Sequence, residues 1–252
     1  MQVIENIYYT DARHPYQTLD LYLPETDSFP VFIYFHGGGL TRGDKRSKQL
    51  FPKDLQEKGI AVICANYRLY PEAVYPEFIR DSAAAVAWAY KHMTEYGNIT
   101  GYFIGGSSAG GYLTQMLCFD RKYLNVYNVD PDKVTGYIMD AGQPTTHFNI
   151  LKERGLDTRR VIVDEAAPLY HITDARNYPP MQIILAENDM QNRAEQTALL
   201  ISTLKHFNYD MSKLDYRFMP GCKHCEYKKM YDENGRNLFA NLVASFITKY
   251  NS

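Results

Sequence analysis

The feature that most constrains the fold of this chain is a glycine run around two serines, Gly105-Gly106-Ser107-Ser108-Ala109-Gly110-Gly111. It contains Gly-x-Ser-x-Gly, read over Gly106 to Gly110. An apolar, β-prone run (Tyr102, Phe103, Ile104) precedes it, and a helix-like run (Tyr112, Leu113, Gln115, Met116, Leu117) follows. A strand that turns sharply into a helix leaves one side chain at the tip of the turn. The glycines remove the clashes such a turn would create. Ser108 takes that place, beside the positive end of the following helix. A nucleophilic hydroxyl needs that exposure. The alternative is a helix start that is merely glycine-rich.

A second glycine run lies upstream, where the apolar segment Val31 to Phe35 enters His36-Gly37-Gly38-Gly39. Residues without Cβ let backbone N–H groups approach a ligand closely. An oxyanion formed during acyl transfer needs such donors, already aimed. Gly37 and Gly38 are the candidate donors, with the N–H of Ala109 as the third. His36 reads as a brace for this loop rather than as a base.

Strand-like and helix-like segments alternate through most of the chain. Thr18 to Leu23 alternates as a strand and pairs with Val3 to Tyr9. Val31 to Phe35, Ile60 to Ala65, Gly101 to Ile104, Val134 to Met139, Met181 to Ala186 and Asp215 to Met219 read as further strands. Lys48 to Lys58, Pro76 to Tyr96, Asn192 to Phe207 and Asn234 to Tyr250 read as helices. This alternation predicts an α/β fold, with a mostly parallel sheet, helices on both faces and an antiparallel N-terminal edge. The pattern breaks between Ala141 and Tyr178, a candidate lid over the carboxyl edge of the sheet.

The 252 residues suffice for one large domain, read as 1–252 with 141–178 as its insertion. A formal net charge of −2 gives no pull toward nucleic acid or an anionic membrane. No signal peptide or membrane-length apolar run is read, so a cytoplasmic protein is expected. Four cysteines make no disulfide framework. Cys222 and Cys225 bracket His224 but lack a second ligand pair for zinc, and read as two packed thiols. Asp130-x-Asp132 reads as a turn. Arg159-Arg160 and Lys228-Lys229 read as solvated pairs.

Three motifs carry a family resemblance: His36-Gly37-Gly38-Gly39, Tyr67-Arg68-Leu69-Tyr70-Pro71-Glu72 and Gly106-Ser107-Ser108-Ala109-Gly110-Gly111. Through them the chain resembles the hormone-sensitive-lipase-like branch of the α/β-hydrolases, which includes bacterial esterases and acetyl esterases. The likeness runs from about Thr18 to the C-terminus. It implies the α/β-hydrolase fold and the chain order serine, acid, histidine. His224, just after the strand ending at Met219, then becomes the general base. His206 sits in a helix, His171 comes too early and His147 lies in the insertion. Asp189, after Met181 to Ala186, becomes the acid that orients it. Glu187 is the near alternative, Asp140 a weaker one, and an N-cap the other use of Asp189. Arg68 is expected to support the turn beside the site, with Tyr67 and Asp81 behind it.

Two departures from the family stand out. An acidic residue often precedes the nucleophile; here it is Ser107. Many members carry a long N-terminal cap; here strands begin almost at Met1, which implies a more open site. The resemblance implies a serine carboxylesterase for short acyl groups, acetyl above all, acting on a small-molecule ester without metal or organic cofactor. It leaves a homodimer open. The same residues would serve an arylformamidase, amidase or small peptidase. A non-catalytic small-ligand receptor is the alternative of another class, and an incomplete triad would mark it.

Overall fold

The computed structural model describes residues 1–46 and 51–251. Its strands are β1 (Gln2–Tyr8), β2 (Thr18–Leu23), β3 (Ser28–Phe35), β4 (Ala61–Ala65), β5 (Asn98–Ser107), β6 (Gly136–Asp140), β7 (Met181–Asn188) and β8 (Leu214–Lys223). Its helices are α1 (Phe51–Glu57), α2 (Glu77–His92), α3 (Ala109–Phe119), α4 (Lys122–Asn125), α5 (Phe148–Glu153), α6 (Arg193–His206) and α7 (Leu238–Tyr250). The sheet order is β1-β2-β4-β3-β5-β6-β7-β8. β2 runs antiparallel to both of its neighbours, and every other pairing is parallel.

The buried runs Val31 to Phe35 of β3 and Ala61 to Ala65 of β4 carry no charge or amide because both faces of the sheet are covered there. Along β3, Val31, Ile33 and Phe35 enter one core, with side chains of α2, α3 and α6. Phe32 and Tyr34 point the other way and pack with residues of α1 and α7. β4 divides likewise, Ala61, Ile63 and Ala65 against Val62 and Cys64. This two-residue period fixes the register, since a slip of one residue would exchange the two cores.

One helix expectation needs correction. The closing helix begins at Leu238, not at Asn234. The Asn237 side chain caps it, accepting from Ala240 N at 3.0 Å, while Asp232 holds Asn234 and Arg236 in a turn. Of the helix expected over Lys48 to Lys58, Phe51–Glu57 is helical, and Lys48 to Leu50 lie outside the described residues. Parallel strands in this order bring the carboxyl ends of β3, β5, β7 and β8 to one edge, and the candidate residues gather there.

Candidate active site

Ser108 occupies the turn between β5 and α3, with φ 57° and ψ −113°. Such a conformation costs a non-glycine residue about 1–3 kcal/mol and needs surroundings that impose it. Ser108 N donates to Asp140 O at 2.8 Å, and its carbonyl accepts from Tyr112 N at 3.0 Å. Gly110 lets α3 begin hard against the end of β3: a Cβ there would lie 2.0 Å from Phe35 O.

β8 delivers His224 and β7 delivers Asp189. His224 Nε2 lies 2.8 Å from Ser108 Oγ, and His224 Nδ1 lies 2.5 Å from Asp189 Oδ1. With the Nδ1 proton shared with the carboxylate, Nε2 is free to accept from the serine hydroxyl. Asp189 Oδ1 also accepts from Met190 N at 2.7 Å. Neither alternative acid meets the imidazole. Glu187 accepts from Gly221 N at 2.7 Å, which ties the ends of β7 and β8 together. Asp140 lies buried behind the serine turn. His147 caps α5, and His206 is the last residue of α6.

The His36–Gly39 loop packs on the serine turn. A Cβ on Gly37 would stand 2.9 Å from Ser107 O, and Gly38 has φ 124°, a conformation closed to most side chains. His36 Nδ1 lies 2.7 Å from Gly37 O, and its ring stacks on Tyr67 at 4.5 Å. Tyr67 OH donates to His36 O at 2.8 Å. Burial lowers the His36 pKa to about 4, so the ring is neutral and its Nδ1–H donates to the loop. Arg68 grips Asp81 through Nε and Nη2, both at 2.9 Å, and Gln17 donates to the same carboxylate at 2.8 Å.

A buried polar layer lies behind the turn. Ser107 Oγ and Tyr227 OH each donate to Asp140, and Tyr34 OH donates to Ser107 Oγ at 3.0 Å. Lys228 Nζ donates to Tyr34 OH and lies over the rings of Tyr34, Phe51 and Phe239. The reading of Lys228-Lys229 as a solvated pair is therefore wrong for Lys228, whose ammonium is held inward by an aromatic cage; Lys229 is exposed. The Asp140 carboxyl thus lies directly behind Ser107. Burial pushes its pKa up.

Cys222 and Cys225 are free thiols; Cys222 Sγ lies 3.7 Å from Met230 Sδ, and burial pushes the Cys225 thiol far up. Asp130 caps a short turn by accepting from Asp132 N at 3.1 Å. Among the described residues no group of three or more His, Cys, Asp or Glu could hold a metal, and no helix is long and apolar enough to cross a membrane.

A cleft of about 660 Å³ opens over Ser108, walled by Gly37, Gly38, His224, Phe148, Asn149 and Met190. Sequence reasoning left out the last three. Asn149, from the 141–178 insertion, donates through Nδ2 to Gly39 O and so pins that segment to the glycine loop.

A serine on a strained strand-to-helix turn, facing a histidine and an aspartate from the next strand ends of such a sheet, defines an α/β-hydrolase. The chain has the α/β-hydrolase fold and is similar to hormone-sensitive-lipase-like esterases. The BD-FAE family model matches residues 19–136. The carboxylic ester hydrolase LipN of Mycobacterium tuberculosis is 36% identical over 47% of this chain and 32% of its own length. A probable isoprenylcysteine alpha-carbonyl methylesterase of Arabidopsis thaliana is 28% identical over 48% of this chain and 29% of its own. The matched stretch thus spans no more than about a third of these relatives. Among solved structures, esterase B from Lactobacillus rhamnosis superposes with a TM-score of 0.78 at 18% identity, over 98% of this chain and 85% of the other. A truncated carbohydrate esterase from gut microbiota gives 0.79 at 18% identity, over 100% and 96%. At such identity these two speak for the fold alone.

Proposed function

We propose that the chain is a serine carboxylic ester hydrolase acting on short-chain, principally acetyl, esters. The observation that carries the proposal is the run of hydrogen bonds from Ser108 Oγ through His224 to Asp189 at the floor of the cleft. In this reading His224 Nε2 takes the Ser108 proton as Oγ attacks the ester carbonyl, and Asp189 steadies the imidazolium. The oxyanion lies against the N–H groups of Gly37, Gly38 and Ala109. Ala109 opens α3, so its N–H has no partner within the helix. His224 then protonates the departing alcohol, and water repeats the sequence on the acyl-enzyme. The preference for short acyl groups is supported by the likeness to a branch that includes acetyl esterases. Phe148 and Met190 stand with Arg42 and Asn149 around the cleft.

The test is a p-nitrophenyl ester series from acetyl to decanoyl, with Ser108→Ala in parallel. Activity confined to the short members, and a fall in kcat of roughly three orders of magnitude or more in the variant, is expected. Undiminished turnover by Ser108→Ala rejects the mechanism. Turnover of aryl formamides or amides in place of esters reassigns the bond.

A further inference from the structure

A second cavity, of about 360 Å³, adjoins the cleft, and Phe148 and Met190 line both. Arg193, the first residue of α6, forms part of its wall although its surface is only 4% exposed. Among the described residues Arg193 Nε and Nη1 meet no hydrogen-bond acceptor, and no carboxylate comes within ion-pair distance of the guanidinium. A buried, unpaired guanidinium is costly, and such orphaned donors call for a partner. The surroundings supply none and add positive character. Arg159 and Arg160 line the same cavity, and no Asp or Glu does. Arg159 is already tied to Asp157 at 2.6 Å, which leaves Arg160 as the second cation. The first turn of α6 has no side-chain cap, its Arg193 N–H donates to Met190 O at 3.0 Å, and its acidic residue, Glu195, is exposed and does not line the cavity.

We infer that this cavity is a subsite for an anionic group of the substrate, a carboxylate above all, gripped by Arg193 and drawn in by Arg160. A planar carboxylate matches the forked donors of a guanidinium, and a charge-assisted pair in a recess is stronger than an exposed one. The substrate is then an ester that carries a carboxylate away from its scissile carbonyl. The inference rests on the esterase reading of the adjoining cleft. Its rival is that Arg193 acts through Asp189, whose charge it feels. Against the rival, Asp189 Oδ2 is itself without a hydrogen-bond partner among the described residues, so the two groups do not join.

The test compares kcat/KM within isosteric pairs. 4-Acetoxybenzoate against 4-acetoxybenzamide probes the alcohol side, and p-nitrophenyl hemi-glutarate against p-nitrophenyl glutaramate the acyl side. In the wild type the anionic member of one pair is expected to exceed the neutral one about tenfold or more. That ratio should fall to near one in Arg193→Gln, be partly kept in Arg193→Lys, and drop a few-fold in Arg160→Gln. A wild-type ratio near one in both pairs overturns the subsite, as does a ratio unmoved by Arg193→Gln. Parallel losses on charged and neutral esters would make Arg193 a positioning residue for Asp189. If Arg193→Gln does not fold, the wild-type ratio and the exposed Arg160→Gln decide. Failure of the wild type on every ester instead rejects the esterase reading. The subsite is then judged by thermal shift at fixed ionic strength: stabilisation by benzoate but not benzamide supports it, and equal effects overturn it.

Discussion

At the scale of single residues, the sharpest question is which carboxylate orients His224. Three acids lie near the ends of β6 and β7, and each has a distinct occupation. Asp140 holds Ser107 and Tyr227, Glu187 holds Gly221 N, and Asp189 faces His224 Nδ1 at 2.5 Å. Asp189→Asn should keep the fold, because an amide oxygen can still accept from Met190 N. It should lower kcat by about 10³–10⁴, since a neutral amide at this position cannot steady the imidazolium that forms on His224. Glu187→Gln should cost less than about tenfold, as its partner is a backbone N–H at a strand end. Steady-state kinetics on one short-chain ester ranks the two. A larger loss in Glu187→Gln would transfer the role to that residue.

At the scale of elements, the turn works because α3 starts on top of the end of β3. Gly110→Ala would set a Cβ against the main-chain oxygen of Phe35, and main chain inside a parallel sheet cannot step aside. The variant should lose about 3 kcal/mol or more, at or beyond the upper end of ordinary overpacking, and its Ser108 should be displaced from His224. Urea unfolding and esterase assays of the soluble fraction check both. Unaltered stability would mean that α3 can lift from the sheet. This element was readable in advance because its evidence is local: an apolar run, four glycines around two serines, and a helix pattern, all within about fifteen residues. β3 and β4 were readable for the same reason, as unbroken apolar runs. The ends of elements were less so, and the α7 start shifted because Asn237, not Asn234, is the residue whose side chain reaches the free N–H. What escaped the sequence is non-local. Nothing near Lys228 announces that Tyr34, Phe51 and Phe239 form a cage for it. Nothing near Arg193 or Asn149 marks the first as buried or the second as tied to Gly39. A charge at the start of a helix ordinarily reads as solvated, and the packing of the 141–178 segment against α6, where Thr145 Oγ1 donates to Gln196 Oε1 at 2.8 Å, makes it otherwise for Arg193.

At the scale of the whole molecule, two buried histidines govern how the fold answers to acid. Burial lowers the pKa of His36 to about 4 and that of His147 to about 3, the latter aided by the charge of Arg193. In the unfolded chain each would take up a proton near pH 6.5. The unfolded state therefore binds more protons than the native state below that pH. The stabilising contribution is complete above about 6.5 and is lost as the pH falls toward 4 for His36 and 3 for His147. Each group accounts for a few kcal/mol on the order-of-magnitude scale of about 1.4 kcal/mol per pH unit. Asp140 works in the opposite direction: burial raises its pKa, so the native state keeps a proton that the unfolded state has released. Asp54, raised by burial, acts with Asp140, while Asp44, Asp164, Asp210 and Asp232, whose hydrogen bonds lower their pKa values, act with the two imidazoles, and the net slope should be a loss of stability on acidification. His147→Asn isolates one contributor, because Asn can take over the cap of α5 without titrating. Urea unfolding from pH 7.5 to 4.5 should show a shallower decline in that variant than in the wild type. Parallel curves would assign the acid sensitivity to His36 and the carboxylates, and would mean that the unfolded state gains nothing by protonating His147.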